Sequence, residues 1–126
     1  MAGPIVFVGT HHIHEGKLEI AKEASRELAQ FVQGNHPRVL HFEIYVNDET
    51  GVMTVIQVHP DEESLMLHMQ LAADHFERAY GFLDTEIVRM FGTPSDTFRQ
   101  MVMGGGENVR VESPLAGFSR LVPVPV

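Results

Sequence analysis

The sequence predicts an α+β domain with the order β-α-β-β-α-β, the split βαβ of the ferredoxin-like architecture, followed by a C-terminal extension. Three observations carry this. Residues 5–13 alternate and are rich in β-branched side chains, as strands are. Residues 38–47 and 52–59 repeat the pattern on either side of the polar turn Asn47-Asp48-Glu49-Thr50-Gly51, which reads as a hairpin. Two other stretches, 17–33 and 64–83, carry apolar residues at the three- and four-residue steps of a helix.

In order, the first strand has one face of Val6, Val8, Thr10 and His12 and another of Ile5, Phe7, Gly9, His11 and Ile13. Gly16 ends it. In the first helix, Leu18, Ala21, Ala24, Leu28 and Val32 form the apolar stripe, and Gly34 and Pro37 stop the helix. The hairpin strands alternate Leu40, Phe42, Ile44 and Val46 against His41, Glu43, Tyr45 and Asn47, then Val52, Thr54, Ile56 and Val58 against Met53, Val55, Gln57 and His59. Asp61 is the expected N-cap of the second helix, and Glu62 and Glu63 suit its positive end. That helix is read as one piece over 64–83, with His68 and His75 two turns apart on the shoulder of its apolar face. A fourth strand is expected over 85–91. Residues 1–92 thus form the domain and 93–126 the extension. The extension holds a short helix capped by Thr93 with Pro94 at its first position, a glycine stop at 104–106, a strand near Val109 and a proline-rich arm at the end.

The bulk properties exclude several function classes. The formal charge is −8, with no basic cluster, so neither nucleic acid nor an anionic membrane is an expected partner. No cysteine is present, which removes disulfides, thiolate metal sites and thiol nucleophiles. No stretch reads as a signal peptide or membrane span, so the cytoplasm is the default location. There is no P-loop, no G-x-G-x-x-G after a strand and no G-x-S-x-G elbow.

The histidines are the candidate chemistry, because imidazole titrates near neutral pH without special help. His68 and His75 are read as base and proton shuttle in a pocket between helix and sheet, or as shoulder histidines hydrogen-bonded to backbone or partner. The string His11, His12, His14 invites a metal, with Glu19 and a distant His41 or His59. It is discounted, because Glu19 falls on a helix and the third ligand would come from far away. Glu43 and Tyr45 share a strand face. Glu43 is either an orienting carboxylate or half of a salt bridge with Arg89.

The segments Phe42-Glu43-Ile44-Tyr45, Val52-Met53-Thr54-Val55-Ile56-Gln57, Asp61-Glu62-Glu63-Ser64-Leu65-Met66-Leu67-His68 and Asp74-His75-Phe76 resemble the antibiotic biosynthesis monooxygenase (ABM) domain. The resemblance covers about residues 4–92. It departs from the family pattern at Gln57, Val58 and His59, in the spacing of the helix histidines, and in having no Trp, which the haem-degrading branch uses. It implies a homodimeric α+β barrel that oxygenates a quinol or phenolic aromatic with dioxygen, without metal, flavin or other cofactor. On this reading His68 or His75 removes a phenolic proton, Phe42, Met69, Phe76 and Tyr80 wall the pocket, and Glu43 or Tyr45 positions the substrate. The alternative is a non-catalytic dimeric barrel that binds an apolar small molecule or serves as an assembly module. Haem or metal binding through the histidines is the third reading.

Overall fold

The strand expected at residues 5–13 is β1 (Ile5–Ile13), and it is the centre of the sheet. The structure, a computed structural model, describes residues 3–103 and 108–121. Antiparallel neighbours flank β1 on both sides: β3 (Val52–His59) and β4 (Leu83–Phe91). Beyond β3 lies β2 (His41–Asn47), antiparallel, and beyond β4 lies β5 (Val109–Glu112), parallel, giving the order β2-β3-β1-β4-β5. The β2–β3 hairpin closes where expected. Asn47 Oδ1 accepts from the Glu49 and Thr50 amides, and Gly51 takes the positive φ of 71° that the turn requires.

Four helices lie on one face of this sheet: α1 (Leu18–Asn35), α2 (Glu62–Leu71), α3 (Ala73–Ala79) and α4 (Asp96–Met103). Their side chains pack the sheet in two patches, one towards each end of β1. Ile5, Leu65, Met90 and Phe98 form one; Ala21, Met53 and Leu83 form the other. The expected α+β class and β-α-β-β-α-β order are therefore present, extended by α4 and β5.

Four local expectations are corrected. The second helix is not continuous: it breaks at Ala72 (φ −96°, ψ 7°) into α2 and α3, and β4 starts at Leu83 rather than Thr85. No Pro or Gly marks the break; Ala72 is fully buried, so the bend is set by packing rather than by propensity. His68 is not a shoulder residue but is 1% exposed. The cap of α4 is Ser95, not Thr93: its Oγ accepts from the Phe98 amide at 3.2 Å. Glu62 of α2 in turn accepts from both the Ser95 amide and its hydroxyl, each at 2.7 Å, tying α4 to α2. Arg89 does not meet Glu43, because β2 and β4 are separated by two strands; it pairs with Glu112 of β5 at 2.6 Å. Asp61 does cap α2, accepting from the Ser64 amide at 3.0 Å. The expected glycine stop at 104–106 and the arm beyond residue 121 lie outside the described residues.

Among the described residues the other sheet face carries no helix. It presents Val6, Val8, Ile56, Val58, Ile87 and Phe91, since Phe7, Gly9 and His11 of β1 face the helices. Leu121 reaches a shallow recess on this face beside Leu40, His41, Ile56 and Val58.

Candidate active site: an apolar cavity with three histidines

Between the two core patches the helices do not fill the sheet, and a cavity of about 580 Å³ remains. That is the size of a small-molecule pocket. Phe7, Phe42, Ile44, Val55 and Val88 form much of its floor. Ala24 and Leu28 of α1, Leu65 and Met69 of α2, and Phe76 of α3 form the roof. His68 on α2 and His75 on α3 both line the cavity, as their seven-residue spacing of about two helical turns allows.

The two helix histidines have different surroundings. His68 sits in an aromatic cage, with ring centroids 5.2 Å from His36, 5.6 Å from Phe42, 5.7 Å from His59 and 5.6 Å from Phe76. Neither ring nitrogen has a hydrogen-bond partner among the described residues, and both are buried. Burial, then the neighbouring His59 and His36, lower its pKa to about 3, so it is neutral at any physiological pH. His75 stacks on Phe31 at 4.8 Å; its Nδ1 is also buried and unpartnered.

Behind His68 lies a polar cluster in which only His59 was considered from the sequence. His59 Nδ1 bonds Ser64 Oγ and its Nε2 bonds Gln57 Oε1, each at 2.8 Å. Burial, then His36, lowers the His59 pKa to about 4. His36, just past α1, is 5% exposed with both nitrogens unpartnered. Nothing in the sequence around His36 signals this, because the contact is made across more than twenty residues to β3 and α2.

Of the residues expected to bind substrate, Phe42, Met69, Phe76 and Tyr80 line the cavity. Met69 and Tyr80 are at its edge, with Tyr80 70% exposed. Glu43 and Tyr45 do not: strand alternation puts them on the opposite, helix-free face of β2. The same alternation disperses the histidine string. His12 and His14 pair outward with Glu86 (3.2 Å) and Asp84 (3.1 Å), while His11 turns into the cavity. Among the described residues no group of three or more His, Asp or Glu is placed to hold a metal ion.

This is the ferredoxin-like α+β fold of ABM-type domains, seen in solved structures of low sequence identity. MupZ from Pseudomonas fluorescens superposes with a TM-score of 0.78 at 16% identity, covering 94% of this chain and 95% of that one. SO0527 from Shewanella oneidensis gives 0.63 at 17%, covering 72% and 91%. An antibiotic biosynthesis monooxygenase gives 0.59 at 15%, covering 72% and 97%. No family model matches the sequence, and no curated protein matches it. The likeness is one of fold. The match to MupZ extends through most of the chain, beyond the share covered by the other two.

Proposed function

We propose that this protein is a cofactor-independent monooxygenase acting on a quinol or phenolic aromatic. The observation that carries the reading is the cavity itself: an apolar chamber of about 580 Å³ lined by His11, His68 and His75. Its walls suit a flat aromatic, and the described charges are few on its floor. The fold shared with a structure described as an antibiotic biosynthesis monooxygenase supports the same class.

The chemistry follows from the residues. A cavity histidine takes the phenolic proton. The phenolate is a good one-electron donor and passes an electron to dioxygen; the two radicals join through a bond from oxygen to a ring carbon that bears hydrogen, and the histidine returns its proton to the peroxide. Loss of water from the resulting hydroperoxide leaves a carbonyl, so one oxygen atom enters the product and the other leaves as water. The protein supplies a base, an apolar enclosure and orientation. His68 and His75 are the bases proposed from the sequence. Oxygen uptake by the purified protein with a panel of hydroquinones and anthrones tests the reading, and no uptake across the panel sinks it. Loss of about 100-fold or more in rate is expected for a variant lacking the base. Unchanged turnover in both His68→Ala and His75→Ala would remove those two from the role.

A second reading, a non-catalytic barrel that binds an apolar molecule, is favoured by the sealed nitrogens of His68. Saturable binding of panel compounds with no oxygen uptake supports it.

A homodimer is also proposed. The helix-free sheet face presents Val8, Ile56 and Ile87 in one chain, and a second copy packed sheet to sheet would cover them. Light scattering should give twice the chain mass, and Val8→Glu combined with Ile56→Lys should give a monomer. A monomeric wild type at micromolar concentration refutes the dimer. No helix among the described residues is long and apolar enough to cross a membrane; a cytoplasmic location is proposed with the function.

A further inference from the structure

We propose that the proton acceptor of this cavity is His11 on the central strand, positioned by Thr85 and seated over Gly9, rather than either helix histidine. The proposal rests on the reading of the cavity as a site of phenol deprotonation and names the group that performs it.

Three independent features of the backbone converge on this one ring. The first is a bulge. β1 and β4 pair in regular register up to Thr10↔Ile87, then shift, so that His11 faces Thr85 instead of Glu86. Bulges re-aim side chains and are common beside active sites. Here the shift brings the Thr85 hydroxyl to 2.9 Å from His11 Nδ1. With regular pairing His11 would face a glutamate. The second is Gly9. A Cβ at that position would stand 2.9 Å from His11 Nε2, so the ring occupies the space a side chain would need. The absence of a side chain in the middle of a central strand is otherwise a local weakness. The third is strand alternation, which sends His11 to the helix side while His12 goes to the other face.

The result is an imidazole with one nitrogen anchored and the other free. In the tautomer whose Nδ1–H donates to Thr85 Oγ1, Nε2 keeps its lone pair; it lies on the helix side of Gly9 in a residue that lines the cavity, and has no hydrogen-bond partner among the described residues. That is the arrangement of a base held by an orienting group. His68 lacks it: both its nitrogens are buried in the aromatic cage without a partner among the described residues. His75 has no side-chain orienter among the described residues, and its Nδ1 is buried without a partner. Burial, and secondarily the neighbouring His12, lower the His11 pKa, so the ring rests in its neutral, proton-accepting form.

The test uses 4-nitrophenol as a probe, because its phenolate absorbs to the red of the phenol and reports ionisation apart from binding. The full-length protein is titrated with the probe under nitrogen, at a pH where free probe is largely protonated. Bound probe should appear as phenolate. His11→Gln should still bind it but lose about tenfold or more of the bound phenolate. Thr85→Val should lower the ionised fraction with little change in dissociation constant, and Thr85→Ser should restore it. Gly9→Ala should displace the ring and lower ionisation without altering its chemistry. If His11→Gln does not fold, as judged by thermal unfolding, the Thr85 pair decides. Absence of phenolate on the wild type, ionisation retained in His11→Gln or in Thr85→Val, or a loss confined to His68→Phe overturns the assignment. Because oxygen is absent, failure of the oxygen-uptake panel and failure of this assignment are separate results.

Discussion

Stability should fall steeply as pH drops from about 6.5 towards 4, a decline that begins well above the range in which most carboxylates are protonated. His59 and His68 are buried and neutral in the folded chain, with pKa values lowered from 6.5 to about 4 and about 3. A base whose folded pKa lies below its unfolded one contributes stability that is complete above the unfolded value. That contribution is lost as pH falls towards the folded value, because the unfolded chain binds the proton first. Each group contributes a slope of about 1.4 kcal/mol per pH unit, so the pair gives roughly 3 at its steepest. Over two units this approaches the lower end of the stability of an ordinary domain, about 5–15 kcal/mol. Urea denaturation at a series of pH values measures it directly. His68→Phe should halve the slope. It should also leave neutral-pH stability equal or higher, since it replaces two unpaired buried nitrogens in a cage that already holds aromatic rings. A flat profile from pH 7 to 4, or an unchanged slope in the variant, would show that these histidines are hydrated in the folded state.

Phe98→Ala is expected to destabilise the entire protein by about 3–5 kcal/mol. Phe98 is 1% exposed and packs with Ile5, Leu65 and Met90, residues drawn from the first strand, the second helix and the fourth strand. Residues after 92 are thus built into the same core, through α4 and through the parallel pairing of β5 with β4. A single cooperative transition displaced to lower urea is the expected result. Two transitions, with only the first displaced, would mean that α4 melts independently.

Much of the fold was legible in the sequence because strand alternation and helical spacing survive in nearly every element. The limits of β1 and β3 agree with their apolar patterns, and the hairpin turn sits at its Asn and Gly. What was hidden depends on long-range geometry. The kink at Ala72 lies in a run of good helix formers, so no local preference marks it. Glu43 and Tyr45 were grouped correctly on one strand face, but which face meets the helices is a tertiary fact. His68 looked marginal by its position on a helical wheel, yet the deepest aromatic cage in the cavity surrounds it. His36 had no signal at all, because its neighbours arrive from β3 and α2. The run His11, His12, His14 points to metal binding when read as sequence, whereas the surroundings of His11 depend on a bulge that a single strand's sequence does not display.

The central placement of β1 also dictates the order of events during synthesis. It emerges first but is hydrogen-bonded only to β3 and β4, the latter ending at Phe91. Until β4 has been made, this β-branched segment has only one of its two edges to pair, and before β3 appears it has neither. The β2–β3 hairpin, whose partners are separated by a short turn, is free to close beforehand and offer β1 a template. Until β4 follows, β1 therefore keeps an unpaired edge, which is a template for pairing with another chain.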